Sequence, residues 1–228
     1  MKITCHMIMS VDGRLLPKYW SPLYNASSSV TEVYEAADAK LSADGWIVGR
    51  KTMAEYGADV VEEKEPMEGH KTMQTNTFIG KREGRPLAVV FDIQGRLHYK
   101  SPTLPSGEHI VAVLGSHVTR AYQKELEEIG VSYIMRTPGS KLEETQSALK
   151  HLEHDFNVKH MLLEGGAITC GNFLQMGLVD ELSMIVYPGL DGESDHPSVI
   201  ECQGVVEPLK TVSYTHLTLP TSREVEIS

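Results

Sequence analysis

The chain has 228 residues, which is enough for one large domain or two small ones. It carries 21 Lys and Arg against 31 Asp and Glu, and the net charge of −10 argues against a surface that binds nucleic acid or an anionic membrane. The three cysteines have no CxxC spacing and are typical of reduced thiols in a cytosolic protein. No segment approaches the ~18 apolar residues of a membrane helix. We therefore expect a cytoplasmic protein without nucleic-acid or membrane partners.

Strand patterns and helix patterns alternate along the chain. Apolar runs predict strands at 3–9, 46–49, 86–92, 109–114, 131–135, 161–163 and 183–187. Helical spacing predicts helices at 29–41, from 52, at 118–129, at 142–156 and after 166, and capping boxes mark the starts at 29 and 52. This alternation predicts a three-layer αβα fold with a mixed, mostly parallel sheet.

Two further features of the fold are expected from the pattern. The strand that starts at Glu181 is expected to join the sheet as an antiparallel C-terminal edge. Residues 57–85 are the least patterned stretch and are expected to form an exposed excursion.

Three polar or glycine-containing segments directly follow predicted strands: Ser10–Gly13, Val48–Thr52 and Glu164–Ala167. In an open parallel sheet, ligands bind in the crevice at the carboxyl ends of the strands. The three segments together therefore predict one shared site.

The third segment, Glu164-Gly165-Gly166, joins an apolar strand to a helix-length stretch. Paired glycines let backbone N–H groups approach a ligand closely, and a helix start favours an anion. This geometry suits a diphosphate. Glu164 is the carboxylate at the mouth of the turn.

The second segment places Arg50, Lys51 and Thr52 after a strand. Arg50 can grip a phosphate with two hydrogen bonds, which suits the ribose phosphate of NADP better than the free hydroxyls of NAD. Taken alone, this segment is explained about as well by a structural interpretation, in which Thr52 is only a helix cap and Arg50 only a surface cation. The residue types of the first segment, around Asp12, are common in turns, so this segment alone is weak evidence for a site.

Taken together, the segments resemble a known family. The matching stretches are Ser10–Arg14, Asp44–Thr52, Val89–Asp92, Gly95–Leu97, Leu163–Gly166 and Gly177–Leu182. Over residues 1–211 they resemble the reductase domain of riboflavin biosynthesis, in the dihydrofolate-reductase-like superfamily. The resemblance implies a homodimeric, NADPH-dependent reductase that converts a phosphoribosylamino-pyrimidine to its ribitylamino form.

The resemblance also implies roles for individual residues. Cofactor contacts are expected at Ser10, Gly49, Arg50, Lys51, Thr52, Gly165, Gly166, Ala167, Ile168 and Thr169. Glu164 matches a substrate-binding carboxylate, and Lys40 falls where many relatives carry an arginine for the substrate phosphate. Proton delivery needs a donor near the departing ring oxygen, and Glu164, Asp12 and bound water are the candidates.

One departure from the family pattern keeps other functions open. Many members follow the matched threonine with Ala-Asp-Asp-Pro, whereas this chain has Met53-Ala54-Glu55-Tyr56. The alternatives are a dihydrofolate or pterin reductase of the same superfamily and a nucleotide-binding relative without catalysis. No metal is expected, because His151, His154 and His160 lack further ligands at matching spacing.

The segment 212–228 differs in character from the rest of the chain. Val212–Thr221 resembles a translated DNA-sequencing adapter of the transposon-end type. We expect the native sequence to end at about Thr211 in this copy, with 212–228 an assembly artefact. A genuine edge strand also fits the alternation from Thr215 to Leu219.

Overall fold

A computed structural model describes residues 1–22, 29–57, 60–63, 65–69, 77–204 and 213–218, with backbone alone for Tyr56 and 213–218. The strands are β1 (Lys2–Ser10), β2 (Gly45–Gly49), β3 (Val60–Glu62), β4 (Leu87–Phe91), β5 (Leu97–Tyr99), β6 (His109–Leu114), β7 (Ser132–Met135), β8 (His160–Leu163), β9 (Glu181–Tyr187) and β10 (Ser213–Thr218). The helices are α1 (Val30–Asp38), α2 (Arg50–Tyr56), α3 (Arg120–Ile129), α4 (Lys141–Asp155) and α5 (Ala167–Gln175), with a 3-10 turn at Pro17–Tyr19.

Local signals explain most of the helix starts. Ser29 caps α1 in a reciprocal capping box with Glu32, as predicted. The predicted cap at Thr52 is wrong, because α2 begins at Arg50 directly after β2 and Gly49 occupies the N-cap position. Gly49 has no side chain to cap the helix, so α2 starts without a side-chain cap hydrogen bond.

The main sheet has the strand order β10-β9-β1-β8-β2-β4-β6-β7, and its described pairs are all parallel. The expected antiparallel edge is therefore wrong. β9 pairs in parallel with β1, from Thr4 opposite Glu181 to Ser10 opposite Tyr187. The reason is the connection from β8 through α5, because a helical crossover returns the chain in the direction of the first strand.

The core confirms the three-layer architecture. One buried cluster contains Ile3 and Val89 with α4 and α5 residues such as Leu152 and Phe173. Another lies on the opposite face and combines Val48, Val90 and Ala112 with Met53, Tyr122 and Leu126. Alternate residues of β4 contribute to the two clusters, because successive side chains of a strand point to opposite faces. A smaller cluster packs Ile8, Trp20 and Ile185 against α1.

Described parts of the stretch 57–85 pair with the rest of the fold. β3 pairs in antiparallel fashion with β5, and the backbone of Phe78 exchanges hydrogen bonds with Tyr133. Residues 58–59, 64 and 70–76 of this stretch lie outside the described part. Among the described helices, none has both the length and the apolar character needed to cross a membrane.

Candidate active site

The second and third predicted segments meet at the carboxyl edge of the sheet. β2 and β8 are neighbouring strands, and the N–H of Gly49 donates to the carbonyl of Gly165 at 2.8 Å. A Cβ on Gly49 would lie well inside van der Waals distance of Thr169 Oγ1. The two turns are therefore in direct contact, and glycine at 49 is what permits this approach.

A cavity of about 380 Å³ opens beside these turns. The wall is mostly apolar, and its polar part includes Thr52 and Glu164. The residues that line it are Met7, Ile8, Leu15, Leu16, Pro17, Val30, Thr31, Tyr34, Trp46, Val48, Thr52, Met53, Glu55, Gly57, Leu104, Ser106, Glu164 and Gly166. Apolar walls with few polar groups are typical of small-molecule sites.

The glycine turn has the features expected of a phosphate-binding backbone. Gly165 has φ +114°, a conformation that favours glycine, and Gly166 caps α5 without a side-chain hydrogen bond. The first N–H groups of α5 are thus available to a ligand. Ile168, in the first turn of α5, is 39% exposed.

Glu164 is an acid on the cavity wall whose pKa differs from its usual value. Its side chain is half-buried, and its Oε1 is inaccessible to solvent and has no hydrogen-bond partner. The pKa of Glu164 is raised to about 8, mainly by burial and further by the negative charges of Asp38 and Glu108, against a lowering effect of the Tyr34 hydroxyl. These surroundings favour the protonated form of Glu164, which can act as a proton donor.

Tyr34 is a site residue that the sequence pattern did not reveal. It lines the cavity, and its hydroxyl donates to the carbonyl of His6 at 3.0 Å. The rings of the two residues lie 4.7 Å apart, and burial lowers the pKa of His6 to about 4. On the sequence, Tyr34 is one of the apolar residues of an amphipathic helix, and that pattern marks core residues without distinguishing a site residue.

Asp12 and Ser10 are held in a local hydrogen-bond network. Asp12 accepts from the Ser10 hydroxyl at 2.6 Å and from the N–H groups of Asp191 and Gly192 at 3.2 and 2.9 Å. The Ser10 hydroxyl and these N–H groups hold the pKa of Asp12 well below its usual range. An ionised acceptor cannot donate a proton, so the contacts favour a positioning role for Asp12. Neither Ser10 nor Asp12 lines the cavity.

The three residues after β2, Arg50 to Thr52, do not all face the cavity. Thr52 lines the cavity next to Gly166, whereas Lys51 is exposed. Arg50 is not among the residues that line the cavity, and it forms an ion pair with Glu62 of β3. The predicted phosphate-binding arginine thus already has an anionic partner within the chain.

Lys40 is not brought to the cavity. It lies in the exposed turn after α1, whereas the wall is formed by Val30, Thr31 and Tyr34 of that helix. More than two helical turns separate Lys40 from Thr31. Its predicted contact with a substrate phosphate therefore has no support in the described geometry.

Two of the three histidines considered as metal ligands have other partners. His151 contacts Asp155 at 2.6 Å, and His160 contacts the Thr4 hydroxyl at 2.9 Å. Within the part of the chain that the structure describes, no group of three or more His, Cys, Asp or Glu is arranged to hold a metal ion.

Comparisons with known proteins agree with this architecture. The profile of the RibD C-terminal domain family matches residues 1–225. A search of curated protein sequences found no match. Among solved structures, a pyrimidine reductase-like protein from Corynebacterium diphtheriae is similar at 18% identity and a TM-score of 0.57, over 88% of this chain and 79% of that one.

Two further solved structures are similar. RibD from Acinetobacter baumannii has 20% identity and a TM-score of 0.57, over 90% of this chain but 50% of that protein, so this chain spans half its length. The riboflavin biosynthesis reductase Rib7 from Saccharomyces cerevisiae has 14% identity and a TM-score of 0.56, over 90% of this chain and 80% of that one. At these identities the likeness shows a shared fold.

Proposed function

Because the chain belongs to the family of RibD C-terminal domains, which are reductases of riboflavin biosynthesis, we propose that it is a nicotinamide-dependent reductase of a heterocyclic small molecule. NADPH is the proposed cofactor, and a phosphoribosylamino-pyrimidine is the proposed substrate. One observation supports this proposal most directly: Glu164, a carboxyl whose Oε1 is inaccessible to solvent and whose pKa is raised by burial, lines an apolar cavity beside a turn suited to a diphosphate.

The residues around the cavity fit a nicotinamide nucleotide. The free N–H groups of Ala167, Ile168 and Thr169 would hold its diphosphate, because no side chain caps α5. Thr52 and Gly166 line the cavity itself, so a nucleotide bound on the turn would extend to its wall. The 380 Å³ of the cavity is in the range of small-ligand sites.

The proposed reaction needs a proton as well as a hydride. When the ribose ring opens, the bond from the anomeric carbon to the ring oxygen breaks; the oxygen gains a proton and the carbon gains a hydride. When bound, the nicotinamide supplies the hydride. Glu164 supplies the proton to the departing oxygen, and the apolar wall around it excludes water.

A second candidate, a dihydrofolate or pterin reductase, has one observation in its favour. The described wall of the cavity contains the carboxyls of Glu55 and Glu164 but neither Lys nor Arg. A substrate without a phosphate would need no cation there. A nucleotide-binding relative without catalysis is the third possibility.

One assay separates the three. NADPH absorbance is followed with the phosphoribosylamino-pyrimidine and, separately, with dihydrofolate, and NADPH binding is measured by calorimetry. Oxidation with the pyrimidine alone is the expected result. Oxidation of NADPH with dihydrofolate alone would show that the proposed substrate is wrong and would favour a dihydrofolate reductase. Binding of NADPH without its oxidation in either assay would overturn the proposed catalysis.

A further inference from the structure

Tyr34 lies where two neighbouring strands of the main sheet stop pairing. The register of β1 with β8 ends with Cys5 opposite Leu163, and the next residues along the two strands are His6 and Glu164. The hydroxyl of Tyr34 donates to the His6 carbonyl at 3.0 Å. The same hydroxyl is close enough to the Glu164 carboxyl to stabilise its ionised form by a hydrogen bond. One phenol thus contacts both sides of the gap between the strands.

The ring of Tyr34 is fixed by its packing. It lies 4.7 Å from the imidazole of His6, between ring centroids, and it packs against the small core cluster around Ile185. His6 is fully buried, and its Nδ1 lies 3.0 Å from the hydroxyl of the buried Ser183. The ring is therefore held in place, whereas the hydroxyl hydrogen can rotate about the bond from the ring to the oxygen.

A phenol has one proton to donate, and Tyr34 has two acceptors within reach. While Glu164 is protonated, the hydroxyl donates to the His6 carbonyl, and its oxygen can accept from the carboxyl. When Glu164 is ionised, its carboxylate is the stronger acceptor, because hydrogen bonds to a charged group are roughly twice as strong as neutral ones. The charge of Glu164 thus decides which acceptor the hydroxyl serves.

An ionised Glu164 needs such a donor. Its Oε1 is inaccessible to solvent and has no hydrogen-bond partner among the described residues. Asp38 and Glu108 place negative charge nearby, and the described cavity wall contains neither Lys nor Arg. A carboxylate formed here is therefore poorly stabilised unless a neutral group turns toward it.

We propose that Tyr34 is a positioning residue for the proton of Glu164: its hydroxyl donates to the His6 carbonyl while Glu164 is protonated, and it turns to the Glu164 carboxylate when that proton leaves. The movement stabilises the carboxylate that proton transfer creates, so Glu164 becomes a more effective donor. Transfer of the proton to a substrate rests on the proposed function. The exchange of the hydrogen bond depends on these three residues alone.

The other titratable groups around Glu164 are the same with and without the Tyr34 hydroxyl. Burial lowers the pKa of His6 to about 4, so its ring stays neutral while Glu164 titrates. A hydrogen bond with Cys5 and burial raise the pKa of the Cys170 thiol. The acids that face Glu164 or line the same cavity are Asp38 of α1, Glu108 before β6 and Glu55 of α2. A difference between wild type and a variant without the hydroxyl therefore isolates the hydroxyl.

The first test follows the titration of Glu164 itself. Glutamate labelled with ¹³C at the carboxyl is observed by NMR in wild type, Tyr34→Phe and Tyr19→Phe, and Glu164→Gln identifies the signal. Tyr19 is the matched control, because it stacks on His196 and does not line the cavity. We expect Tyr34→Phe to move the Glu164 midpoint to higher pH by about 0.5 to 1, since the ionised form loses a donor. Tyr19→Phe should leave the midpoint in place.

The second test observes the His6 carbonyl. With ¹³C-carbonyl histidine and ¹⁵N methionine, only the His-Met pairs at 6–7 and 160–161 give amide signals that report on a histidine carbonyl. The His6 signal should change with the midpoint of Glu164 in wild type and stay constant there in Tyr34→Phe, because the hydroxyl leaves this carbonyl as Glu164 ionises. The His160 carbonyl, which accepts from the N–H of Asp44 at the other end of β8, is the internal control.

A midpoint that stays in place or falls in a folded Tyr34→Phe overturns the inference, and Tyr34 is then only part of the cavity wall. If Tyr34→Phe does not fold, 3-fluorotyrosine at position 34 provides the comparison. Its more acidic hydroxyl is a stronger donor, so the midpoint should move to lower pH, and an unchanged midpoint has the same overturning force.

The NADPH assay separates this inference from the proposed function. In Tyr34→Phe, kcat should fall by about threefold to tenfold, because a hydrogen bond to the developing carboxylate is lost, and the Kd for NADPH should stay unchanged. The expected titrations in a wild type that oxidises no NADPH would defeat the proposed function and support the exchange of the hydrogen bond.

Discussion

Glu164 shows how its surroundings set the chemistry of one carboxyl group. An exposed glutamate is ionised at neutral pH, but burial and the charges of Asp38 and Glu108 raise the pKa of Glu164 to about 8. Asp12 has the opposite environment, because hydrogen-bond donors surround it and lower its pKa. Two acids that the sequence offered as equal candidates for proton delivery are thus separated by their contacts.

Glu164→Gln tests the role of this carboxyl. The amide keeps the shape of the side chain but cannot supply a proton, so we expect kcat to fall by about 10²-fold or more. The Kd for NADPH, measured by calorimetry on the same variant, should stay close to the wild-type value. Equal losses in kcat and in NADPH affinity would instead place Glu164 in the cofactor site.

The pH dependence of the reaction gives a second test. Because the protonated form of Glu164 is the proposed donor, kcat should fall as pH rises through about 8. Asp38→Asn removes a negative charge that raises the pKa of Glu164, so the midpoint should move to lower pH. Asp195→Asn, an exposed acid that does not perturb Glu164, is the control. A midpoint that Asp38→Asn leaves in place would contradict this electrostatic coupling.

At the scale of elements, the site depends on the contact of two strand-to-helix turns. The turn from β2 to α2 and the turn from β8 to α5 are joined by the hydrogen bond from Gly49 to Gly165. Neither turn forms the site alone, because Thr52 comes from one and Glu164 and Gly166 from the other.

Gly49→Ala tests this contact. The added Cβ would clash with Thr169 Oγ1 and push the turns apart, so we expect the free energy of unfolding to fall by about 1–3 kcal/mol. NADPH affinity should fall with it. Adding Thr169→Ala to the Gly49→Ala variant removes the clashing oxygen, so it should restore part of the free energy of unfolding and part of the NADPH affinity. Urea unfolding of the single and double variants measures the coupling, and strictly additive effects would argue against a direct clash.

Prediction of the elements succeeded where the signal was local. The capping box at Ser29 and Glu32 lies within one helical turn, so the sequence alone placed that helix start. The N-cap of α2 was misplaced by three residues, because β2 leads directly into the helix at Gly49 and the Thr52 pattern is internal to the helix. The direction of β9 was also misjudged, since the crossover through α5 determines it.

At the scale of the whole molecule, one edge of the main sheet is formed by β10. β10 (Ser213–Thr218) pairs in parallel with β9, and its residues fall in the segment that resembles a sequencing adapter. A strand at an edge needs little more than alternating residues and an open neighbour, so its formation is compatible with either origin. The family profile extends to residue 225, beyond the expected boundary at 211.

Resequencing the gene from an independent clone tests the origin of this segment. We expect the sequence to diverge from the present one after about Thr211, because Val212–Thr221 matches the adapter over ten residues. Recovery of the same ten residues would make β10 a native edge strand. The homodimer implied by the family resemblance also stays a prediction, and light scattering of the chain with its verified C-terminus measures it.

By itself, the sequence determined the alternation of strands and helices, the three segments at strand ends and the family to which they belong. These depend on periodicity and on short motifs, which are properties of neighbouring residues. Only the tertiary structure decided the raised pKa of Glu164, the pairing of Arg50 with Glu62, the absence of Lys40 from the cavity wall and the direction of β9. Burial, long-range charge and crossover geometry depend on residues far apart in the chain, so no local pattern records them.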